Sequence, residues 1–380
     1  MVDDRPLGLY VHIPFCNKKC DYCDFVSFSM DEQSQAEYLT ALCNEIDLIK
    51  HNFDDVTFDT LYLGGGTPSI LLPDFITKLT EKLYSSFHFA DYLEYTIEIN
   101  PMSFTRSKFL EYVKCGINRL SIGVQCLNES VLKKVGRNQT NKSVVDTFKL
   151  INQSAFLNVS ADVMIGLPGQ TVDDVKRTLN FLIDNDVKHI SVYTLQVEEG
   201  TKLYENIKNH KLKPLSDKAQ VKLYNQIYET LSQAGFIRYE LSNYCVPGYE
   251  SYHNQKYWND TQYLGIGVAA HSYIEGYRYS NVTDYNKYIT LCKEGKSPVA
   301  AKEYISDKTR RTERIMLSLR TIHGLNLEKF KEDFNEDLLR SKAEQIKQLT
   351  NLNMIVIENG YLKIAKDKFN VSNSIILELI

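Results

Sequence analysis

Short apolar runs alternate with amphipathic stretches through the first two hundred residues. Leu7–His12, Thr60–Gly64, Tyr95–Asn100, Arg119–Gly123, Val159–Gly166 and His189–Gln196 are strand-length and rich in Ile, Val, Leu and Tyr. Between them, apolar residues recur every three or four positions: Ala36, Leu39, Cys43, Ile46 and Ile49; Phe75, Leu79 and Leu83; Phe109 and Val113; Val144, Phe148 and Ile151; Val175, Leu179 and Leu182. Pro73 suits a first helical turn, Gly116 a helix stop, and Thr171-Val-Asp-Asp174 a capping box with Asp in place of Glu. Six strand–helix units in series predict parallel strands with right-handed crossovers, an α/β fold. A doubly wound sheet satisfies the pattern. A partial or full β/α barrel fits better, because polar and glycine-rich residues cluster at strand C-terminal ends, the rim where a barrel builds its site.

Further on, the spacing predicts a long helix over Asp217–Ala234 stopped by Gly235, then an aromatic, strand-like stretch over Phe236–Tyr279. Helices follow over Lys308–Thr321 and Leu338–Leu349. Met354–Ile357 and Tyr361–Ile364 read as a hairpin with a type I′ turn at Asn359-Gly360. The expected division is a core barrel over residues 1–205, a barrel extension over 206–300, and a small C-terminal α+β, winged-helix-like unit over 301–380. That tail mixes acid and base evenly, which favours a packing role.

Composition narrows the class. The 380 residues are 43% hydrophobic and 24% charged, with a net charge of −4. No long basic run marks a nucleic-acid partner, and no apolar stretch reaches the ~18–20 residues of a membrane span. The N-terminus lacks a signal pattern, so a cytoplasmic protein with reduced thiols is expected. Of eight cysteines, five are scattered and three, Cys16, Cys20 and Cys23, fall within eight residues.

Three thiolates spaced C-x3-C-x2-C, directly after the first predicted strand, can hold three corners of a [4Fe–4S] cluster. No fourth cysteine lies near, which leaves one iron for an amine–carboxylate chelate. Zinc sites more usually pair two C-x2-C knuckles and use four ligands. Gly64-Gly65-Gly66-Thr67-Pro68 ends the second strand, where glycines admit a ligand close to backbone and free N–H groups can bond it. No Lys-Ser/Thr follows, which excludes a Walker A loop. Glu98, Gln125, Arg137 and Asp162 sit at or beyond later strand ends. Each alone reads equally as a structural ion pair. Together at one rim they suit a zwitterion: Glu98 for an ammonium, the Arg137 fork for a carboxylate, Gln125 and Asp162 for hydroxyls.

The cysteine spacing resembles that of the radical S-adenosylmethionine superfamily. The flanking Tyr10-Val-His-Ile-Pro-Phe15 is similar to its coproporphyrinogen-oxidase branch, which holds oxygen-independent coproporphyrinogen III oxidases and HemW-type heme chaperones. The resemblance runs from Leu7 to the C-terminal hairpin. It implies a partial (β/α)6 barrel, a [4Fe–4S] cluster on Cys16, Cys20 and Cys23, and S-adenosylmethionine bound by Tyr10, Tyr22, Gly65, Gly66, Thr67, Glu98, Gln125, Arg137 and Asp162. The oxidases continue the trio as C-x3-C-x2-C-x-C and carry an N-terminal extension; here Phe25 takes the fourth position and the chain starts almost at the first strand. His253-Asn-Gln-Lys-Tyr257-Trp258 resembles the H-N-x-x-Y-W signature of the chaperones. The resemblance therefore implies a heme chaperone that delivers heme to apo-hemoproteins, those of the respiratory membrane among them. The alternative is a coproporphyrinogen III dehydrogenase. His253 is the expected heme ligand, in an extended strand with Tyr257 on the same face; His12, His271 and His323 are its rivals.

Overall fold

The computed structural model describes residues 5–29 and 31–380. Each of the six apolar runs forms a strand: β1 (Leu7–Ile13), β2 (Thr57–Gly65), β3 (His88–Ile99), β4 (Arg119–Gln125), β5 (Val159–Ile165) and β6 (His189–Thr194). They pair in sequence order, all parallel. Side chains alternate across a strand. Leu9, Val11 and Ile13 are fully buried, while Tyr10, Tyr62, Glu98, Ser121, Asp162 and Ser191 line one shared cavity. Strands β1 to β6 all contribute to that cavity, so the sheet curves into a partial barrel.

Helices α1 (Glu32–Ile49), α2 (Pro73–Ser86), α3 (Arg106–Lys114), α4 (Glu129–Lys134), α5 (Asn141–Asn152) and α6 (Val172–Asp184) fill the crossovers. The Thr171–Asp174 capping box forms as expected. After α7 (Lys202–Lys208) and α8 (Asp217–Gln233), β7 (Ile237–Arg238) and β8 (Asn243–Cys245) extend the sheet antiparallel beyond β6.

The stretch after residue 236 departs from its strand-like reading. A short helix, α9 (Tyr252–Trp258), interrupts it and carries His253. The cause is non-local. The Ser251 hydroxyl caps the Asn254 N–H (3.4 Å), and the buried Glu94 carboxylate, 158 residues from Tyr252, accepts the N–H groups of Tyr252 (3.1 Å) and His253 (3.0 Å). Donors that a helix start leaves orphaned are satisfied from another strand. Next, β9 (Tyr263–Ile266) lies parallel against β1 as a seventh parallel strand, with Gly265 opposite Tyr10. Then β10 (His271–Ile274), β11 (Tyr277–Asn281), α10 (Tyr285–Lys293) and β12 (Val299–Tyr304) follow, the three strands antiparallel at that edge.

One hydrophobic core runs from Leu7 to Cys292 and a second from Ile315 to Leu379. The second packs α11 (Asp307–Ser318) and later short helices against a three-stranded antiparallel sheet of β13 (Leu325–Asn326), β15 (Tyr361–Ile364) and β14 (Ile355–Glu358). The expected helix over Leu338–Leu349 is two pieces, Leu338–Ser341 and Ala343–Asn351. Asn359 (φ +51°) and Gly360 (φ +80°) both adopt the positive φ of a type I′ turn. Arg310 and Arg314 of α11 bind Asp260, just past α9, at 3.1 and 2.7 Å.

Candidate functional site at the barrel mouth

β1 runs directly into the cysteine loop, which is tied down along its length. Cys16 N–H donates to the Phe28 carbonyl (3.0 Å), Phe28 N–H to that of Pro14 (2.7 Å), and Asp21 N–H to that of Val135 (3.0 Å). All eight cysteines are free thiols, and the trio is half-buried. Burial raises the thiol pKa of Cys16 and of Cys23, so thiolates there need positive charge nearby, which a metal centre provides. Among the described residues, no three His, Cys, Asp or Glu side chains converge as ligands of one ion. Three soft donors in one short loop suit three corners of an iron–sulfur cube, whereas structural zinc sites use four ligands.

The glycine run does a different job from the one expected of it. Its N–H groups are engaged within the chain: Gly65 donates to Glu98 (3.1 Å), Gly66 to the Ile13 carbonyl (2.8 Å) and Thr67 to the Phe15 carbonyl (2.7 Å). The Thr67 hydroxyl lies 3.4 Å from the Cys16 sulfur. The run therefore anchors the cysteine loop rather than offering free donors to a ligand. Glycine is needed for this approach, since a Cβ on Gly66 would stand 2.7–2.9 Å from the backbone of Phe15 and Ile13.

Beneath the loop, the lumen is strongly polar. Tyr62 donates its hydroxyl to Glu98 (3.0 Å). Burial, with the Asp162 charge second, lifts the Glu98 carboxyl to about 7. Burial likewise lifts Asp162 to about 6, opposed by hydroxyls of Ser191 and Ser121 and by the more distant Arg137 and Arg119. Arg137 donates to the Gly123 carbonyl (2.5 Å) and to Gln139 (2.8 and 3.1 Å). Its burial opposes the charge, but Tyr22 and Cys20 beside it outweigh that and raise its pKa. Gln125 follows a register shift in left-handed backbone (φ +62°), and its side-chain carbonyl is buried without a partner. A left-handed strand end that carries a buried, orphaned acceptor is what a hydroxyl-bearing ligand would satisfy. Tyr10, Glu98, Asp162 and His253 share a cavity of about 290 Å³. Tyr22 and Arg137 connect the cysteine loop to β4, and Gly65, Gly66 and Thr67 hold that loop against β2.

His253 lies at the other end of the lumen. Its ring bonds Thr60 (2.8 Å) through Nδ1 and the Tyr257 hydroxyl (3.0 Å) through Nε2. Burial first, then Lys256, depresses its pKa to about 3, so it is neutral. It still shares a face with Tyr257, but as i,i+4 neighbours on a helix. Iron ligation there requires one of these bonds to break and α9 to open. Sequence reasoning missed Tyr62, Arg119, Ser121, His189, Ser191 and Tyr193, which also line the lumen. The available signal was polar residues at every second position of otherwise apolar strands, as in Arg119 and Ser121 or His189, Ser191 and Tyr193.

A partial barrel with a thiol trio where its first strand ends, above buried carboxylates, is the architecture of radical S-adenosylmethionine proteins. The Radical SAM superfamily model matches residues 10–182, and the HemN C-terminal domain model matches residues 305–366. The chain is 30% identical to the heme chaperone HemW of Lactococcus lactis over 371 residues, 98% of this chain and 96% of that protein. It is 33% identical to HemW of Bacillus subtilis over 330 residues, 87% of each. The chain belongs to the HemW family of heme chaperones. Among solved structures, coproporphyrinogen III oxidase (HemN) of Escherichia coli shares the fold, with a TM-score of 0.86 over 99% of this chain and 90% of that one at 23% identity.

Proposed function

We propose that this protein binds a [4Fe–4S] cluster through Cys16, Cys20 and Cys23, S-adenosylmethionine at the open iron, and heme as cargo, which it passes to cytoplasm-facing apo-hemoproteins, respiratory enzymes among them. The observation that carries this reading is the coupling of the thiol loop, through Thr67 and Arg137, to a lumen holding two buried carboxylates. The relatives' name, heme chaperone, supports heme as the cargo. When bound, the cluster supplies one-electron chemistry and an iron open to a chelating ligand. The chain's own residues do the positioning. Thr67 and Gly66 fix the loop, Glu98 accepts N–H from the ligand's amine, Arg137 faces its carboxylate, and Gln125 and Asp162 take its hydroxyls. Tyr10 and Tyr22 wall the pocket, and His253 keeps α9 closed beneath it.

Anaerobic reconstitution tests the assignment. About four irons per chain are expected, fewer after alanine replacement of any of the three cysteines, with a change in the reduced cluster's paramagnetic resonance on adding S-adenosylmethionine. Hemin loaded on the protein should then appear in an added apo-hemoprotein. Multiple turnover of coproporphyrinogen III to protoporphyrinogen would overturn this reading in favour of a dehydrogenase and make Phe25 no obstacle to that chemistry.

A further inference from the structure

We infer that the heme iron is ligated by His271, at the barrel mouth, with Phe25 against the macrocycle and Lys19 facing its carboxylates. This rests on the heme-binding reading above and names its site. A neutral imidazole ligates iron only through an available ring nitrogen. The three buried histidines lack one. His12 bonds Tyr10 (3.0 Å) and the Val26 carbonyl (3.2 Å), His189 bonds Ser160 (2.7 Å) and Tyr239 (2.8 Å), and His253 bonds Thr60 and Tyr257.

Among the exposed histidines, position decides. His51 faces Asp54 (3.5 Å) beyond α1, His88 opens β3 at the far end of the barrel, His210 follows α7, and His323 belongs to the C-terminal unit. His271 is exposed, and among the described residues its ring has no hydrogen-bond partner. It begins β10 just past the C-terminal end of β9, the end that carries the cysteine loop on neighbouring β1. Gly265 stands in register with Tyr10, whose side chain faces the lumen. A Cβ on Gly265 would collide with the His271 carbonyl, so the His271 backbone crosses the lumen side of β9.

The neighbourhood suits a porphyrin. Gly267, in the turn that leads to His271, packs on His12: a Cβ there would stand 2.8 Å from the His12 carbonyl, and the His12 ring is bonded to the Val26 carbonyl. Val26 follows Phe25, a ring 61% exposed on the cysteine loop. The Lys19 ammonium bonds the Phe25 carbonyl at 2.9 Å. The same end of the barrel thus carries an exposed imidazole, an aromatic face for a flat apolar macrocycle, and a cation for its acidic edge. Heme held there is open to a receiving protein, whereas ligation by His253 would need the barrel floor to open.

The test is a hemin titration of the cluster-loaded protein without oxygen, read by difference absorption and by paramagnetic resonance of the heme iron. His271→Ala should weaken binding by about tenfold or more, and His271→Cys should give a thiolate-type heme spectrum. Phe25→Ser and Lys19→Glu should each weaken binding about two- to fivefold. His253→Gln, which keeps hydrogen-bonding atoms in place, should leave the heme spectrum unchanged. Unaltered affinity and spectrum in His271→Ala, with hemin still bound by the unsubstituted protein, would overturn the ligand assignment alone. Failure of the unsubstituted protein to bind hemin would overturn the heme-binding reading, and this one with it.

Discussion

The Glu98 carboxyl makes ligand binding a proton-coupled event. Burial and Asp162 raise it from 4.5 to about 7, which corresponds to ~3 kcal/mol in favour of the neutral acid. A carboxyl raised on folding stabilises the fold fully below its unfolded value, and that contribution is lost as pH rises through the folded value. The ligand-free protein should therefore lose stability between pH 4.5 and 7, with Asp162, raised from 3.8 to about 6, adding to the same trend. An amine that donates N–H to Glu98 favours the carboxylate, reverses the balance and drives the Glu98 proton into solvent. With a value near 7, S-adenosylmethionine binding should release about nine-tenths of a proton from this site at pH 6, about half at pH 7 and about a tenth at pH 8. Calorimetry of the cluster-loaded protein in buffers of different ionisation enthalpy counts these protons. The ligand's own amine also loses a proton on chelation, so the diagnostic quantity is the difference from Glu98→Gln. Equal release by both proteins at pH 6 would refute the reasoning and move the ligand's amine away from Glu98.

Two further outcomes follow from packing. Gly66→Ala forces a methyl against the backbone of Phe15 and Ile13; it should cost ~1–3 kcal/mol and lower the iron loaded per chain, and full iron content with an unchanged melting temperature would show that the loop tolerates displacement. Glu94→Ala removes the acceptor for Tyr252, His253 and Ser251 and leaves Arg119, 2% exposed, without its ionic partner at 3.9 Å. It should cost ~3–5 kcal/mol and speed amide exchange in α9 while iron loading at the distant mouth persists; unchanged exchange would mean that α9 does not depend on Glu94.

The strands were legible because one face of each is packed with apolar side chains, which alternate with the polar residues of the lumen, and glycine or polar residues bound each run. The thiol trio was legible because its ligands are neighbours in sequence. Features fixed by distant partners were not. Tyr252–Trp258 carries aromatic residues at spacings compatible with either strand or helix, and the choice rests on Glu94, far away in β3. Gly64-Gly65-Gly66 signals close approach without naming what approaches: the loop of β1 lies above it, and the ligand site lies beyond. β9 is only four residues long, and its pairing with β1 leaves no local trace.

That late pairing governs how the chain reaches its native state. Lys256 holds the Pro6 carbonyl across 250 residues, and the Tyr285 hydroxyl holds that of Ser34 across 251. At ~5–20 residues per second, a ribosome takes roughly 12–50 s to span that interval. Through that time the growing chain has β2 to lay against β1, but nothing on the other side. Its three thiols stay open to oxidants, so the yield of protein able to accept iron depends on how promptly the last third of the chain folds back onto the first strand.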